Sequence, residues 1–291
     1  NKIVSEEIKE TSGSIMWSLD NKYIFYSKLD NHHRPRKIYR HKIGTSIKND
    51  QLIYEEKDKG FTCGIDISSD EKYFLIKTSD HTTSEIYFFD VNKTNPKPKL
   101  FRKRQKEIEY SIDSWKGYFY IHTNLDAEDF KICLCKIDNI EKWQDYIPAT
   151  NGVLIGGFNL LNKWMIRSEV RDALAKLYVR NLDTNTEEEL IITDEQVISP
   201  GASLMQKDRN TNKIYIAYQS PKTPGKAYIY NVLTKEKKLV KEEIVPSGHN
   251  PNDYVVQRLS CDSHDGKKIP LTITRHKNTQ LDGSANLLLY A

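Results

Sequence analysis

The chain has 291 residues, of which 38% are apolar, with 17 Tyr leading the aromatics; that supply of large side chains excludes wholesale disorder. Its 44 Lys+Arg against 40 Asp+Glu leave a net charge of only +4 with the signs interleaved, so composition demands no acidic partner. A mean hydropathy of −0.66, with no run of about 18 apolar residues, excludes a membrane-spanning helix.

Residues Asn1 to Glu7 have neither an initiator Met nor the apolar core of a secretory leader. The start therefore reads as processed or internal to a longer chain. The four Cys make no disulfide framework, and a reducing, cytoplasmic setting is expected.

The first recognisable element is Trp17-Ser18-Leu19-Asp20-Asn21-Lys22-Tyr23-Ile24-Phe25-Tyr26-Ser27, the end of one strand, a polar turn and a second strand. Asp and Asn suit such turns because their short side chains bond nearby backbone and tolerate left-handed conformations. The pattern returns at Ile67–Lys77, Trp115–Tyr120, Leu161–Ile166 and Asn210–Ile216. From Tyr23 through Tyr73, Tyr118, Trp164 and Tyr215 the aromatic spacings are 50, 45, 46 and 51. A repeat of that length built from short strands predicts the blades of an all-β propeller. Two β-sandwiches, the rival architecture, need no such period.

In chain order, the first unit predicts strands at Ser14–Ser18, Tyr23–Leu29, Lys37–Lys42 and Gln51–Glu55, with a loop at Asp30–Arg36. In its second strand Tyr23, Phe25 and Leu29 share one face and Ile24 and Tyr26 the other, so both faces require cover. The second unit predicts Cys63–Ser68, Tyr73–Thr78, Glu85–Val91 and Lys99–Arg104, the last a charged outer edge. The third predicts Tyr110–Trp115, Tyr118–Thr123, Lys131–Ile137 and Trp143–Ile147. The fourth predicts Trp164–Arg167, Ala175–Asn181 and Glu188–Thr193, and the fifth Lys213–Gln219, Lys226–Val232 and Lys237–Lys241. Past Pro246–Asn252 the pattern changes to a long hairpin, Tyr254–Cys261 and Lys268–Arg275, turning at His264-Asp265-Gly266. Asn286–Tyr290 then reads as a buried strand of a parallel sheet.

Motif chemistry assigns no active site. No Gly-x-Ser-x-Gly, His-Glu-x-x-His, phosphate-binding loop or dinucleotide fingerprint occurs. Ser79-Asp80-His81 and Ser263-His264-Asp265 place triad residue types side by side, but triads assemble from distant parts of a chain, so both read as polar loops. Cys133 and Cys135 fall on one face of a strand without a second close pair or a His at ligand spacing, which favours buried thiols over zinc. His32 and His33 read as loop residues. The basic run Lys97–Lys106 lacks interleaved aromatics and is diluted by Glu107 and Glu109; a solvated edge strand is the expectation, and nucleic-acid binding the weaker alternative.

Several stretches carry a resemblance. Lys37–Thr45, Gln51–Asp58, Thr82–Ile86 and Glu109–Asp113, then Asp265–Pro270 and Leu287–Tyr290, resemble in order the oligopeptidase B (protease II) group of the prolyl oligopeptidase family of serine peptidases. The likeness covers essentially the whole chain and is looser between about Leu154 and Ser247. Where the family continues Tyr-Gly-Tyr-Gly, this sequence has Tyr290-Ala291.

The resemblance implies a seven-bladed propeller capping an α/β-hydrolase domain, and cleavage of short peptides after Arg or Lys, with the propeller gating access. It makes residues 1–252 about five four-stranded blades, and residues 253–291 the first strands of a truncated hydrolase domain. The family's catalytic Ser, Asp and His lie beyond the matched stretch. No residue is therefore assigned a catalytic, cofactor-binding or metal role, and no cofactor, nucleic acid or membrane partner is expected. The implied partners are short basic peptides and the catalytic domain; on its own the chain is expected to be inactive. It is also expected to be association-prone, with the two terminal blades left one bare face each and residues such as Tyr23, Phe25, Ile24 and Tyr26 on the faces of the first unit. The alternative is a stand-alone propeller that binds a protein or peptide.

Overall fold

A hydroxyl organises the first turn of the fold. Ser18 Oγ accepts the Tyr23 N–H at 2.9 Å and donates to Asp20 Oδ1 at 2.7 Å, while Asn21 takes the left-handed conformation at φ 57°. Fifty residues on, Ser68 Oγ accepts from Tyr73 N–H at 3.0 Å and donates to Asp70 at 2.8 Å, with Glu71 at φ 54°. The recurring stretch is thus a Ser-x-Asp-x-x-Tyr turn in which serine, not only the acidic residue, satisfies the backbone.

The computed structural model describes residues 7–93, 95–205 and 208–290, within which the strands form five four-stranded antiparallel meanders and one hairpin. The chain divides into two compact units, Asn1–Asn151 and Gly152–Ala291.

The first unit holds three sheets. They are β1 (Thr11–Trp17), β2 (Tyr23–Leu29), β3 (Pro35–Lys42) and β4 (Gln51–Glu55); β5 (Thr62–Ile67), β6 (Tyr73–Ser79), β7 (Ser84–Asp90) and β8 (Lys99–Arg102); and β9 (Tyr110–Trp115), β10 (Tyr118–Thr123), β11 (Lys131–Lys136) and β12 (Gln144–Ile147). The sheets stack face to face through the side-chain period of two. Phe74 and Ile76 of β6 meet Phe25 and Ile38 of the first sheet. Leu75, between them, turns the other way into a cluster with Phe119 and Ile121 of the third. Strand β7 divides in the same manner, Phe89 toward the first sheet and Phe88 toward the third. Ring centroids lie 4.6 Å apart for Phe25–Phe74 and 5.3 Å for Phe88–Phe119, the separations at which aromatic pairs attract beyond area burial.

The second sheet is therefore covered on both sides, and part of the expected bare face on the first is covered too. Phe25 is 3% exposed because it packs on Phe74 and Phe89. Tyr26, on the opposite face, is buried, its hydroxyl donating at 2.9 Å to Oδ2 of Asp50, the residue that follows a short 3₁₀ turn at Ile47–Asn49. The apolar residues left outward on Tyr26's face are Ile15, Trp17 and Leu52, at 50%, 41% and 44% exposure.

The second unit has β13 (Val153–Leu161), β14 (Trp164–Arg171), β15 (Leu174–Asn181) and β16 (Glu187–Glu189), then β17 (Ser199–Leu204), β18 (Lys213–Gln219), β19 (Lys226–Asn231) and β20 (Lys237–Glu242). Ile166, Leu177 and Val179 of one sheet pack with Ile214, Ile216 and Tyr218 of the other. Neither β13 nor β17 is among the strands that the sequence pattern predicts. Each carries residues that ordinarily interrupt strands: Gly156-Gly157 sits where the β13 register shifts, and Pro200-Gly201 lies inside β17. A Cβ on Gly156 would run into Ser168 Oγ and stand 3.2 Å from the Ser168 carbonyl oxygen, so that glycine marks a close strand approach.

One further expectation holds and one changes. The hairpin of β21 (Tyr254–Asp262) and β22 (Lys268–His276) forms as read, turning about His264-Asp265-Gly266 with Ser263 N–H donating to the Lys267 carbonyl at 2.8 Å. Residues 286–290 form no strand, and Leu287, Leu288, Leu289 and Tyr290 are 79–93% exposed. An apolar run becomes a strand only against a partner, and no described strand pairs with it. Ala291 lies outside the described residues.

Two outcomes follow from this packing. Phe74→Ala removes the ring at the centre of the first interface and is expected to cost about 3–5 kcal/mol in urea denaturation. At the β14–β15 turn Asp172 and Ala173 sit at φ 51° and 56°, a conformation that L side chains adopt at a cost of about 1 kcal/mol. Ala173→Gly is expected to raise stability by that order in the same assay.

Candidate functional site

The polar groups that the fold gathers lie at sheet ends and between sheets. Glu56 follows the outer strand β4 and Arg104 follows the equivalent strand β8, which places them together although 48 residues separate them. Arg104 Nη2 donates to Glu56 Oε2 at 2.6 Å and to Glu85 Oε2 at 2.8 Å, and its guanidinium lies 4.0 Å from the Phe61 ring centroid. Glu56 also accepts from the Thr78 and Tyr54 hydroxyls at 2.5 and 3.0 Å. Both carboxylates are buried, at 4% and 5% exposure. Burial by itself pushes the Glu56 carboxyl up, yet the bonds from Thr78, Arg104 and the Asp58 N–H hold it below the ordinary carboxylate range.

This corrects the reading of Lys97–Lys106 as a wholly solvated edge. The strand covers only Lys99–Arg102; Phe101 is buried in the core, Arg102 stacks 4.4 Å from the Trp143 ring centroid, and Arg104 turns inward. Lys99 and Lys103 keep their exposed positions. Nothing local in the sequence distinguishes Arg104 from Lys103, because its partners come from a different sheet and a different strand.

A second buried ion cluster stands in the other unit. Arg167 forks onto Glu187 at 2.7 and 3.0 Å, bonds Glu169 at 2.7 Å, and lies 4.3 Å from the Tyr178 ring centroid. Burial by itself raises the Glu169 carboxyl, yet the bond and charge of Arg167, joined by Tyr178 and Arg171, leave it lowered. Carboxylates held ionised in this way are ill suited to general-acid work at neutral pH; they tie strands together.

The candidate triads do not form. Asp80 Oδ1 accepts the Thr82 and Thr83 N–H groups at 2.9 and 2.7 Å and so closes its own turn. In Ser263-His264-Asp265 the hydroxyl meets the imidazole at 3.4 Å and also bonds the carboxylate; a triad needs the imidazole in the middle. Cys133 and Cys135 are buried, and desolvation pushes their thiols up to about 12 and about 11, far from the thiolate that nucleophilic or zinc chemistry uses. His32 and His33 are exposed in the β2–β3 loop, where Asp30 Oδ1 accepts the His32 N–H at 2.8 Å. Among the described residues no group of three His, Cys, Asp or Glu is placed to hold a metal ion.

The hairpin has its own attachment to the sheets of its unit. Arg258 donates to the Asp172 carbonyl at the β14–β15 turn and to Thr272 Oγ1. At its base His249 stacks on Tyr254, its Nε2 sharing a hydrogen bond with the Lys222 carbonyl at 2.7 Å, and Lys277 pairs with Asp253 at 2.6 Å. The change of pattern read in the sequence past Pro246–Asn252 coincides with the start of this hairpin.

Repeated four-stranded meanders stacked on apolar faces, with buried ion clusters tying strands and sheets together, define a protein of the β-propeller class. Residues 1–243 match the family described as prolyl oligopeptidase, N-terminal β-propeller domain. The chain belongs to that family.

Among its relatives, dipeptidyl aminopeptidase BI of Pseudoxanthomonas mexicana is 29% identical over all of this chain and 40% of that protein. Protease 2 of Moraxella lacunata is 27% identical over 96% of this chain and again 40% of that protein. Oligopeptidase B from Trypanosoma brucei, solved in a closed form with covalently bound antipain, superposes with a TM-score of 0.88 at 26% identity, over 96% of this chain and 41% of that one. The chain thus spans about two fifths of the length of the relatives it matches.

Removing the Arg104 side chain leaves Glu56 and Glu85 facing each other without their cation. Arg104→Ala is expected to cost about 3–5 kcal/mol, whereas exposed Lys103→Ala stays within about 0.5 kcal/mol. Because the Glu56 and Glu169 carboxyls are lowered on folding, their contribution is complete above the unfolded value of about 4.3. It is lost as pH falls through the lower folded values. Melting temperature followed downward from pH 6 is expected to drop across that acid range, and less steeply in Glu56→Gln.

Proposed function

We propose that this chain is the substrate-gating propeller portion of a cytoplasmic serine oligopeptidase that cleaves short peptides after Arg or Lys. In this reading residues 1–252 are propeller, and residues 253–291 open the α/β-hydrolase domain that carries the nucleophile. The observation that carries it is the family match across 1–243. Support comes from the hairpin after it, seated by Arg258 on the β14–β15 turn of the preceding sheets.

The chemistry of the complete enzyme would be acyl transfer, with Ser attacking the peptide carbonyl, His taking its proton and backbone donors holding the oxyanion. The propeller adds no reacting group to that sequence. Its part is selection by size, because a ring of stacked sheets admits an extended peptide and turns away a folded domain. Placement in the cytoplasm is supported by four cysteines that are all free.

Rate acceleration comes from contacts made in the transition state, so a propeller without the nucleophile leaves the barrier in place. The purified 291-residue chain is expected to hydrolyse no arginyl or lysyl amide, and to take up no serine-directed phosphonate label. Fused to a downstream reading frame bearing Gly-x-Ser-x-Gly, then Asp, then His, it is expected to cleave short arginyl peptides and to spare folded proteins. Turnover or labelling by the isolated chain would overturn the assignment. So would a downstream frame lacking those motifs, which favours a stand-alone binding propeller.

A further inference from the structure

The chain contains a single Asn-Gly pair, Asn151-Gly152, and the fold sets it in the connection between β12 and β13. Ile147 ends β12 and Val153 begins β13, buried at 7% and 3% exposure, whereas Pro148 to Gly152 between them are all exposed. Asn151 is also the last residue of the first compact unit and Gly152 the first of the second.

Similar residues elsewhere are restrained by their own turns. Asn181 Oδ1 accepts the Asp183 N–H at 2.9 Å, Asn231 Oδ1 the Leu233 N–H at 3.0 Å, and Asn250 Oδ1 the Asn252 N–H at 3.1 Å. Among the described residues no hydrogen bond reaches the Asn151 side chain or the Gly152 N–H. The two Asp-Gly pairs are restrained as well. Asp265 Oδ1 accepts the Lys267 N–H at 3.2 Å, and Asp282 Oδ1 accepts the Ser284 hydroxyl at 2.6 Å and N–H at 3.0 Å. Those bonds hold both carboxyls below the ordinary range, and an ionised carboxylate is a poor electrophile. A neutral, untethered amide is a better one.

Gly152 supplies the other requirement. It has no Cβ to crowd its amide nitrogen, it sits at φ 73°, and nothing lies within 4 Å of where a Cβ would stand. The nitrogen is open to the neighbouring side chain.

We propose that Asn151-Gly152 is a site of spontaneous deamidation, which turns the connection between β12 and β13 into an isoaspartyl linkage. The Gly152 amide nitrogen gives up its proton and bonds to Asn151 Cγ, and the side-chain nitrogen leaves as ammonia. Water then opens the succinimide ring. Opening at the side-chain carbonyl leaves aspartate; opening at the main-chain carbonyl leaves isoaspartate, whose backbone runs through an extra methylene. Either product puts a negative charge where the amide was neutral. An exposed isoaspartate is the chemistry that S-adenosylmethionine-dependent isoaspartyl carboxyl methyltransferases act on, so the connection marks the age of the chain for an enzyme of that class. The proposal does not rest on the peptidase reading.

The test is to age the 291-residue chain, folded and in urea, at neutral and at mildly alkaline pH. Peptide mapping follows the mass, and a purified isoaspartyl methyltransferase with labelled S-adenosylmethionine follows the linkage. The peptide holding Asn151 is expected to gain the mass that separates a carboxyl from an amide, to become the main methyl acceptor, and to do both faster at the higher pH. Conversion in the folded chain is expected within about tenfold of the rate in urea, a barrier difference of no more than about 1.4 kcal/mol. Asn151→Gln, whose longer side chain closes the ring far less readily, is expected to lose both signals at that peptide without moving the melting temperature. A folded chain that converts more slowly than this, methyl acceptance centred on Asp265 or Asp282, or undiminished acceptance in Asn151→Gln would each overturn the proposal.

Discussion

A four-stranded meander has two faces, and when both are apolar neither can be buried by the sheet itself. Everything else in this molecule answers to that constraint. It is why consecutive residues of β6 serve different neighbours, Phe74 and Ile76 inward to one sheet and Leu75 to the next. It is also why the aromatic content is so high. At face-to-face spacings of about 10 Å, Phe and Tyr are the side chains long enough to interdigitate from both sides, as Phe25, Phe74 and Phe89 do.

Stacking leaves a second problem, for apolar contact alone does not fix how one sheet is rotated or slid against another. Directional bonds supply that register. Ser69 N–H and Oγ reach Asp113 at 2.7 and 2.5 Å, while Ser114 Oγ reaches back to Asp70 at 2.9 Å, a reciprocal pair across the second and third sheets. Arg104 does the same between the first and second by holding a carboxylate from each. Buried ion pairs are weak sources of net stability but costly to break, which suits a part whose task is alignment.

Much of this was legible in the amino-acid order, and the division is physical. Strand positions, the five-fold repeat and the closing hairpin rest on local patterns: alternating side chains, turn residues and an aromatic near each second strand. What stayed hidden depends on partners remote in sequence. Arg104 looks like any surface arginine until Glu56 arrives from 48 residues earlier. Strands β13 and β17 were obscured because Gly156 and Pro200 argue locally against a strand, whereas the neighbouring strand imposes one. Leu287–Tyr290 shows the converse, an apolar run with strand composition and no described strand beside it.

The meander connectivity bears on how such a chain comes into being. Every described strand pairs only with its neighbours in sequence, so loop closures are short and each sheet's hydrogen bonds can form within its own stretch of about forty residues. Emerging from the ribosome N-terminus first, a sheet can complete its ladders before the next one exists. Its apolar faces cannot wait in the same way: Phe25 is sheltered only once Phe74 and Phe89 have been made. Backbone order therefore leads and burial lags by one repeat. At each moment of synthesis the newest sheet is the one in greatest need of a chaperone.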